Sequence, residues 1–149
     1  MSSADLSTDG APTYLGGGDA GGRFTDYYPA WLDDLADDVT VEGSMLDGAV
    51  QGAEAVRTII VTIRALYGDS QEFRFVGPSG DNGWLEDYVA QVGGKHLGCV
   101  NLVTRNAAGQ TQHIVAGYRP LSSLLLFSRL LGEKFAGTPI GEHFLASES

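Results

Sequence analysis

Three side-chain types in this sequence suit proton transfer on a small organic molecule: a carboxylate, an amide and a phenol. Glu86 lies in Trp84-Leu85-Glu86-Asp87-Tyr88-Val89-Ala90-Gln91-Val92, where alternation groups Trp84, Glu86, Tyr88, Ala90 and Val92 on one face. That face carries the aromatic bulk and is expected to point inward, placing a carboxyl among apolar groups. Such a carboxyl has a raised pKa and suits general acid/base work. Asp87 takes the role if the other face is the inner one. Gly93-Gly94 reads as a tight turn, so the strands on either side should pair as a hairpin. A turn centred between the glycines sets Asn101 opposite Glu86, on the same face, where its amide can donate a hydrogen bond. A one-residue bulge at the glycines would break that register. Tyr118 falls on one face of the last strand with Gln112, Ile114 and Ala116; His113, Val115, Gly117 and Arg119 fall on the other. Each of these residues also has a plain structural reading: Glu86 as a pocket-mouth residue or partner of an arginine, Tyr118 as a core aromatic with its hydroxyl at the rim.

Other chemistry is poorly supported. The three histidines, 96, 113 and 143, have no metal-ligand spacing, and neither HExxH nor CxxC occurs, so no metal is expected. The glycine-rich stretch at 16–22 follows no βαβ strand and lacks a phosphate-binding lysine, so no nucleotide cofactor is expected either. There is no nucleophile elbow. Asp37 and Asp38 resemble a catalytic pair but read better as turn and hydrogen-bonding residues between a short helix and a strand. Arg57 and Arg64 share a helix face and are expected to pair with acids or with a second subunit.

The elements that must carry these residues are legible from periodicity. Pro29, Trp31, Leu32 and Leu35 suggest a short helix ending near Asp37–Asp38, with a strand starting at Val39. Asp47-Gly48 then turns the chain into a hairpin with Ala49-Val50-Gln51. Val56, Ile59, Ile60, Ile63 and Tyr67 follow helical spacing over residues 53–67, ended by Gly68-Asp69. Four strands follow, near 72–78, 84–92, 96–105 and 111–119, joined by short turns and so antiparallel. Pro120 stops the last strand, and Ser122 is placed to cap a Leu-rich helix. After Gly132, Phe135, Pro139, Ile140 and Phe144 suggest an apolar segment that docks.

The chain has 149 residues, with 9 basic and 19 acidic side chains and a net charge of −10. That length suits one core. The acidity argues against nucleic acid as the main partner, and no apolar run is long enough for a membrane span. Cys99 is the single cysteine and forms no internal disulfide. The N-terminal stretch lacks basic and apolar signal regions, so a cytoplasmic protein is expected. Residues 1–23 read as a flexible Gly/Ser-rich tail, 24–135 as the folded domain and 136–149 as a C-terminal extension.

The run Ala36-Asp37-Asp38-Val39-Thr40-Val41-Glu42-Gly43, then Asp47-Gly48 and Gly52-Ala53-Glu54-Ala55-Val56-Arg57, resembles the nuclear-transport-factor-2-like superfamily. Asn106-Ala107-Ala108-Gly109 and the closing Arg119-Pro120-Leu121 fit the same pattern, over about residues 26–131. This superfamily includes SnoaL-like cyclases, ketosteroid isomerases and limonene-epoxide-hydrolase-like enzymes. The resemblance implies an α+β fold: a cone-shaped, curved antiparallel sheet (an α+β barrel) wrapped around helices, with an internal pocket, and often a homodimer. Carried onto this sequence, the isomerases' base position is Gly43, which has no side chain. Their oxyanion donor position is Asn101, and their tyrosine donor falls in the Gly-rich tail and has no counterpart. The likeness also turns Tyr118 and Ile114 inward and His113 outward. Together with the alternation that turns Glu86, Trp84 and Tyr88 inward, it gives the expected site: Glu86, Asn101 and Tyr118 as catalytic residues, in a pocket walled by Trp84, Tyr88, Cys99 and Ile114. A steroid-isomerase mechanism is not expected. Two functions remain: a cofactor-independent isomerase, cyclase or hydrolase acting on a small hydrophobic oxygenated molecule, and a non-catalytic ligand-binding or dimeric accessory protein. Val100 and Leu102, with His96, fall on the outer sheet face and point to a homodimer through it.

Overall fold

The computed structural model describes residues 13–14, as backbone only, and 27–144. The glycine clusters at 16–18 and 21–22, most of the expected tail, and residues 145–149 lie outside the described residues.

Seven described strands form one sheet: β1 Thr13–Tyr14, β2 Leu35–Gly43, β3 Val50–Gln51, β4 Glu72–Ser79, β5 Gly83–Val92, β6 Lys95–Arg105 and β7 Thr111–Arg119. Two helices, α1 Ala53–Tyr67 and α2 Leu121–Lys134, and two 3-10 turns, Ala30–Asp33 and Pro139–His143, complete the fold. The sheet order is β1-β4-β5-β6-β7-β2-β3. The meander β4–β7 is antiparallel throughout, as its short turns require. β2 joins it by parallel pairing with β7, so the sheet is mixed rather than purely antiparallel.

Burial alternates along β5 and β6 with period two. Trp84, Tyr88, Ala90, Leu97, Cys99 and Val103 enter the core from the concave face. α1 lies across that face and buries Val56, Ile59, Ile63 and Tyr67. Its β-branched residues have modest helix propensity, so this packing holds the helix. α2 closes the far side. Phe127, fully buried, has its ring 4.8 Å from that of Tyr118. The Ser128 hydroxyl donates to the carbonyl of Met45 across 3.0 Å. The segment after α2 docks by stacking Phe144 on Phe135, with ring centres 5.9 Å apart.

Three expectations are corrected. The segment at Trp31 is a single 3-10 turn, and β2 already begins at Leu35. Asp37 and Asp38 are therefore strand residues, within a register shift between Leu35 and Thr40 that lets exposed side chains sit in sequence there. Ser122 does not cap α2, which opens directly after Pro120. The neighbouring Ser123 instead donates to the carbonyl of His96 across 2.6 Å and so ties the helix to β6.

Candidate functional site

The β5–β6 hairpin turns on Gly93 and Gly94, both with positive φ (58° and 79°), as a two-residue turn between right-twisted strands requires. The register then runs unbroken from Val92↔Lys95 to Gly83↔Thr104. It sets Glu86 directly opposite Asn101, with both side chains on the concave face.

Glu86 is 1% exposed. Its Oε2 accepts two hydrogen bonds, from Tyr27 Oη at 2.5 Å and Trp31 Nε1 at 2.8 Å. Its Oε1 accepts one from Asn101 Nδ2 at 3.2 Å. A second layer supports these donors. Trp84 Nε1 donates to Tyr27 Oη at 2.7 Å, and Cys99 Sγ donates to Asn101 Oδ1 at 3.3 Å. Trp31 is held in turn by its backbone, whose carbonyl accepts from Thr111 Oγ1 at 2.9 Å. Arg57 donates to the neighbouring carbonyl of Leu32.

The electrostatics follow from burial. Loss of water pushes the Glu86 carboxyl above the ordinary carboxylate range; its three donors, and more weakly Arg64, oppose the shift without cancelling it. Burial, reinforced by the charge of Glu86, also pushes Tyr27 up, so this phenol stays protonated as a donor. Tyr67, Tyr88 and Tyr118 are raised chiefly by burial and are neutral donors. Tyr67 and Tyr88 share a hydrogen bond of 2.7 Å, and Tyr67 donates to Tyr118 at 3.5 Å.

Glu86, Asn101, Tyr118 and Tyr88 border one cavity of about 30 Å³, closed from the other side by Trp31 and Tyr67. That volume admits one or two waters. Trp84, Cys99 and Ile114 are buried beside it, in the core, without forming its wall. Cys99 lies among apolar groups, and burial pushes its thiol up to about 12. His113 faces the other side of the sheet. Its Nδ1 is 2.5 Å from Thr40 Oγ1, and its Nε2 is 2.9 Å from Glu42 Oε2. Gly43 has no side chain to offer the site, and a Cβ there would lie 2.4 Å from the carbonyl oxygen of Ala116. Among the described residues, no three His, Cys, Asp or Glu side chains gather closely enough to ligate a metal. No helix among them is long and apolar enough to cross a membrane.

Sequence reasoning missed Tyr27 and Trp31 as partners of Glu86. In the sequence Trp31 falls in an apolar stripe; the signal of its second role is that a buried indole N–H needs an acceptor. A tyrosine hydroxyl does reach the site from the N-terminal side: it is Tyr27, just beyond the glycine-rich stretch.

No protein-family profile matches this sequence, and neither does any curated protein. Solved structures do match. An uncharacterised bacterial protein with a cystatin-like fold, from Silicibacter pomeroyi, superimposes with a TM-score of 0.65 at 18% identity, over 72% of this chain and 74% of that one. A steroid delta-isomerase from Pseudomonas aeruginosa gives 0.65 at 20% identity, over 72% and 79%. A de novo designed protein with a curved β-sheet gives 0.53 at 20% identity, over 66% and 78%. At these identities the likeness is one of fold.

Proposed function

From the α+β cone of the nuclear-transport-factor-2-like superfamily, with one buried carboxyl on its concave wall, we propose that this chain is a small-molecule enzyme using Glu86 as general acid/base. The substrate class is hydrophobic and oxygenated, and the chemistry is proton transfer beside a carbonyl, which needs no cofactor; the cavity of about 30 Å³ must widen to admit such a molecule. The observation that carries this reading is the carboxyl itself: 1% exposed, raised in pKa, and bordering a cavity with an amide and a phenol on the same wall. Ionised Glu86 would take a proton from the carbon and return it to another carbon of the same molecule. Asn101 and Tyr118 would donate to the oxygen on which charge develops. The steroid isomerase among the structural neighbours performs a reaction of this kind by name, although its base would have to come from a different strand here, because Gly43 has no side chain.

The test is isomerisation of cyclohex-3-enone to the conjugated ketone, followed by ultraviolet absorbance. Catalysis by the native chain is expected, with a loss of about a hundredfold or more in Glu86→Gln. An unchanged rate in that variant sinks the acid/base assignment.

A second reading rests on the opposite side of the sheet. Val100, Leu102 and Val115 are 38%, 37% and 38% exposed, and Leu102 pairs with Val115 across β6 and β7. Three apolar residues gathered on a solvent face suit a homodimer through the sheet, and hence a dimeric ligand-binding or accessory role. Sedimentation at micromolar concentration checks this: a dimer for the native chain, a monomer for Leu102→Asp. A native monomer removes the reading.

A further inference from the structure

Arg64 sits where two spaces meet. It borders the cavity of Glu86, and it also borders an open groove of about 410 Å³ on the outer side of α1. Gln71 is the other residue shared by the two. The rest of the wall is apolar or aromatic at Tyr28, Leu32, Val61 and Ala65, with Val61 and Tyr28 exposed at 49% and 43%, and carries one further cation, Arg57, which pairs with Asp33 and donates to the carbonyl of Leu32.

Arg64 shares the lack of an ion pair with Lys95, Arg105, Arg129 and Lys134 among the described residues, but it alone of these lines both spaces. Acids outnumber bases 19 to 9, yet among the described residues no carboxylate lies within ion-pair distance of Arg64. Arg57, one face-repeat earlier on α1, pairs with Asp33 at 3.4 Å. Arg64 instead lies over the ring of Tyr28, 5.3 Å from its centre. A cation–π contact of this kind restrains the guanidinium without using up its N–H donors. The result is a half-buried cation with no carboxylate within ion-pair distance among the described residues, on the wall between a ligand-sized groove and the candidate acid.

We propose that the groove binds a hydrophobic carboxylic acid, with its carboxylate on the Arg64 guanidinium and its apolar body against Tyr28, Val61 and Ala65. The volume matches the range of small-molecule sites. With Arg57 already engaged by Asp33, Arg64 is the one guanidinium of the groove with no carboxylate partner among the described residues, and a single guanidinium matches a monoanion in charge and fork geometry better than a phosphate dianion. This inference deepens the reading of the Glu86 cavity as a ligand site and rests on it for the direction of approach. It specifies the substrate class: a carboxylate-bearing molecule that meets Arg64 before Glu86.

The test uses two matched probes, 2-naphthoate and neutral 2-naphthamide, titrated by tryptophan fluorescence at low ionic strength. Naphthoate is expected to bind about tenfold or more tighter than the amide, the scale of a charge-assisted hydrogen-bonded contact. Arg64→Gln should abolish that preference without changing the melting temperature markedly. Arg64→Lys should retain part of it, and added salt should weaken it. Glu86→Gln should keep the preference, because the carboxylate is held outside the cavity. Equal binding of the two probes, a preference that survives Arg64→Gln, or no binding of either at millimolar concentration overturns the inference. A naphthoate preference that depends on Arg64, together with enone turnover indifferent to Glu86→Gln, would leave this site standing and remove the catalytic reading instead.

Discussion

Asn101 Nδ2 donates to Glu86 Oε1 across 3.2 Å, between residues that face each other on paired strands. The contact couples the amide to the protonation state of the acid. A proton on Oε1 would meet the amide N–H₂, and a half-turn of the Asn101 amide would present its oxygen instead. The Cys99 thiol, which now donates to that oxygen, would then face the nitrogen.

Replacing Asn101 by Leu removes this donor and leaves Oε1 without a described partner. The folded-state pKa of Glu86 should rise further, because desolvation then meets less opposition. A loss of about 1–3 kcal/mol is expected at neutral pH, and a smaller one in mild acid, where the carboxyl is neutral. Urea unfolding at both pH values measures it, and a larger loss in acid contradicts the account.

Glu86 should also shape the pH dependence of stability. Its folded pKa is raised above the unfolded value, so its favourable contribution is full below the ordinary carboxylate range and fades as pH rises through the folded pKa. Glu86→Gln lacks that fading. The melting temperature of the variant relative to the native chain should therefore climb between pH 4 and pH 8, whatever the exposed acids do to both. A flat difference would mean that the carboxyl is not raised.

Tyr27→Phe nearly conserves volume but breaks two hydrogen bonds among the described residues. Glu86 Oε2 keeps only Trp31, and the Trp84 N–H loses its described acceptor. A loss of about 3 kcal/mol is expected, combining a hydrogen bond to a carboxyl with a stranded buried donor. Trp84→Phe in the Tyr27→Phe background should then cost less than in the native chain, since the stranded group is gone; a double-mutant cycle reads that coupling.

Cys99 is buried, with its thiol pushed up to about 12. At pH 8 it should be almost entirely protonated and shielded. Ellman's reagent should leave it unmodified in the folded chain and label one thiol per chain in denaturant. Rapid labelling under native conditions would show that this part of the sheet opens.

The four-strand meander and α1 were readable because each obeys one period over its full length, and the Gly93–Gly94 turn made even the Glu86↔Asn101 register readable. The N-terminal segment was harder. Trp31 and Leu32 satisfy a helical stripe, but only a single 3-10 turn forms, because Asp34 and Thr111 are already joined by a backbone hydrogen bond of 2.8 Å that pulls the chain into β2. Residues 59 and 55 positions away from Glu86 supply two of its three donors. No local pattern encodes such pairings; they follow from which ends of the sheet meet.

The parallel pairing of β2 with β7 has a bearing on how the chain is made. Val41 and Ile114 are partners, so more than half of the chain must leave the ribosome before this seam can form. The hairpins of β4–β6 can assemble from near neighbours, whereas β2 has only the two-residue strand β3 until β7 emerges. Such non-local closure puts the slow, loop-closing step late. Until then Glu86 stands in water as an ordinary acid, and the donors from Tyr27 and Trp31 reach it only when the cone shuts. Production of the native chain should accordingly suffer most from changes that delay β7, such as weakening the Asn106–Gly109 turn before it.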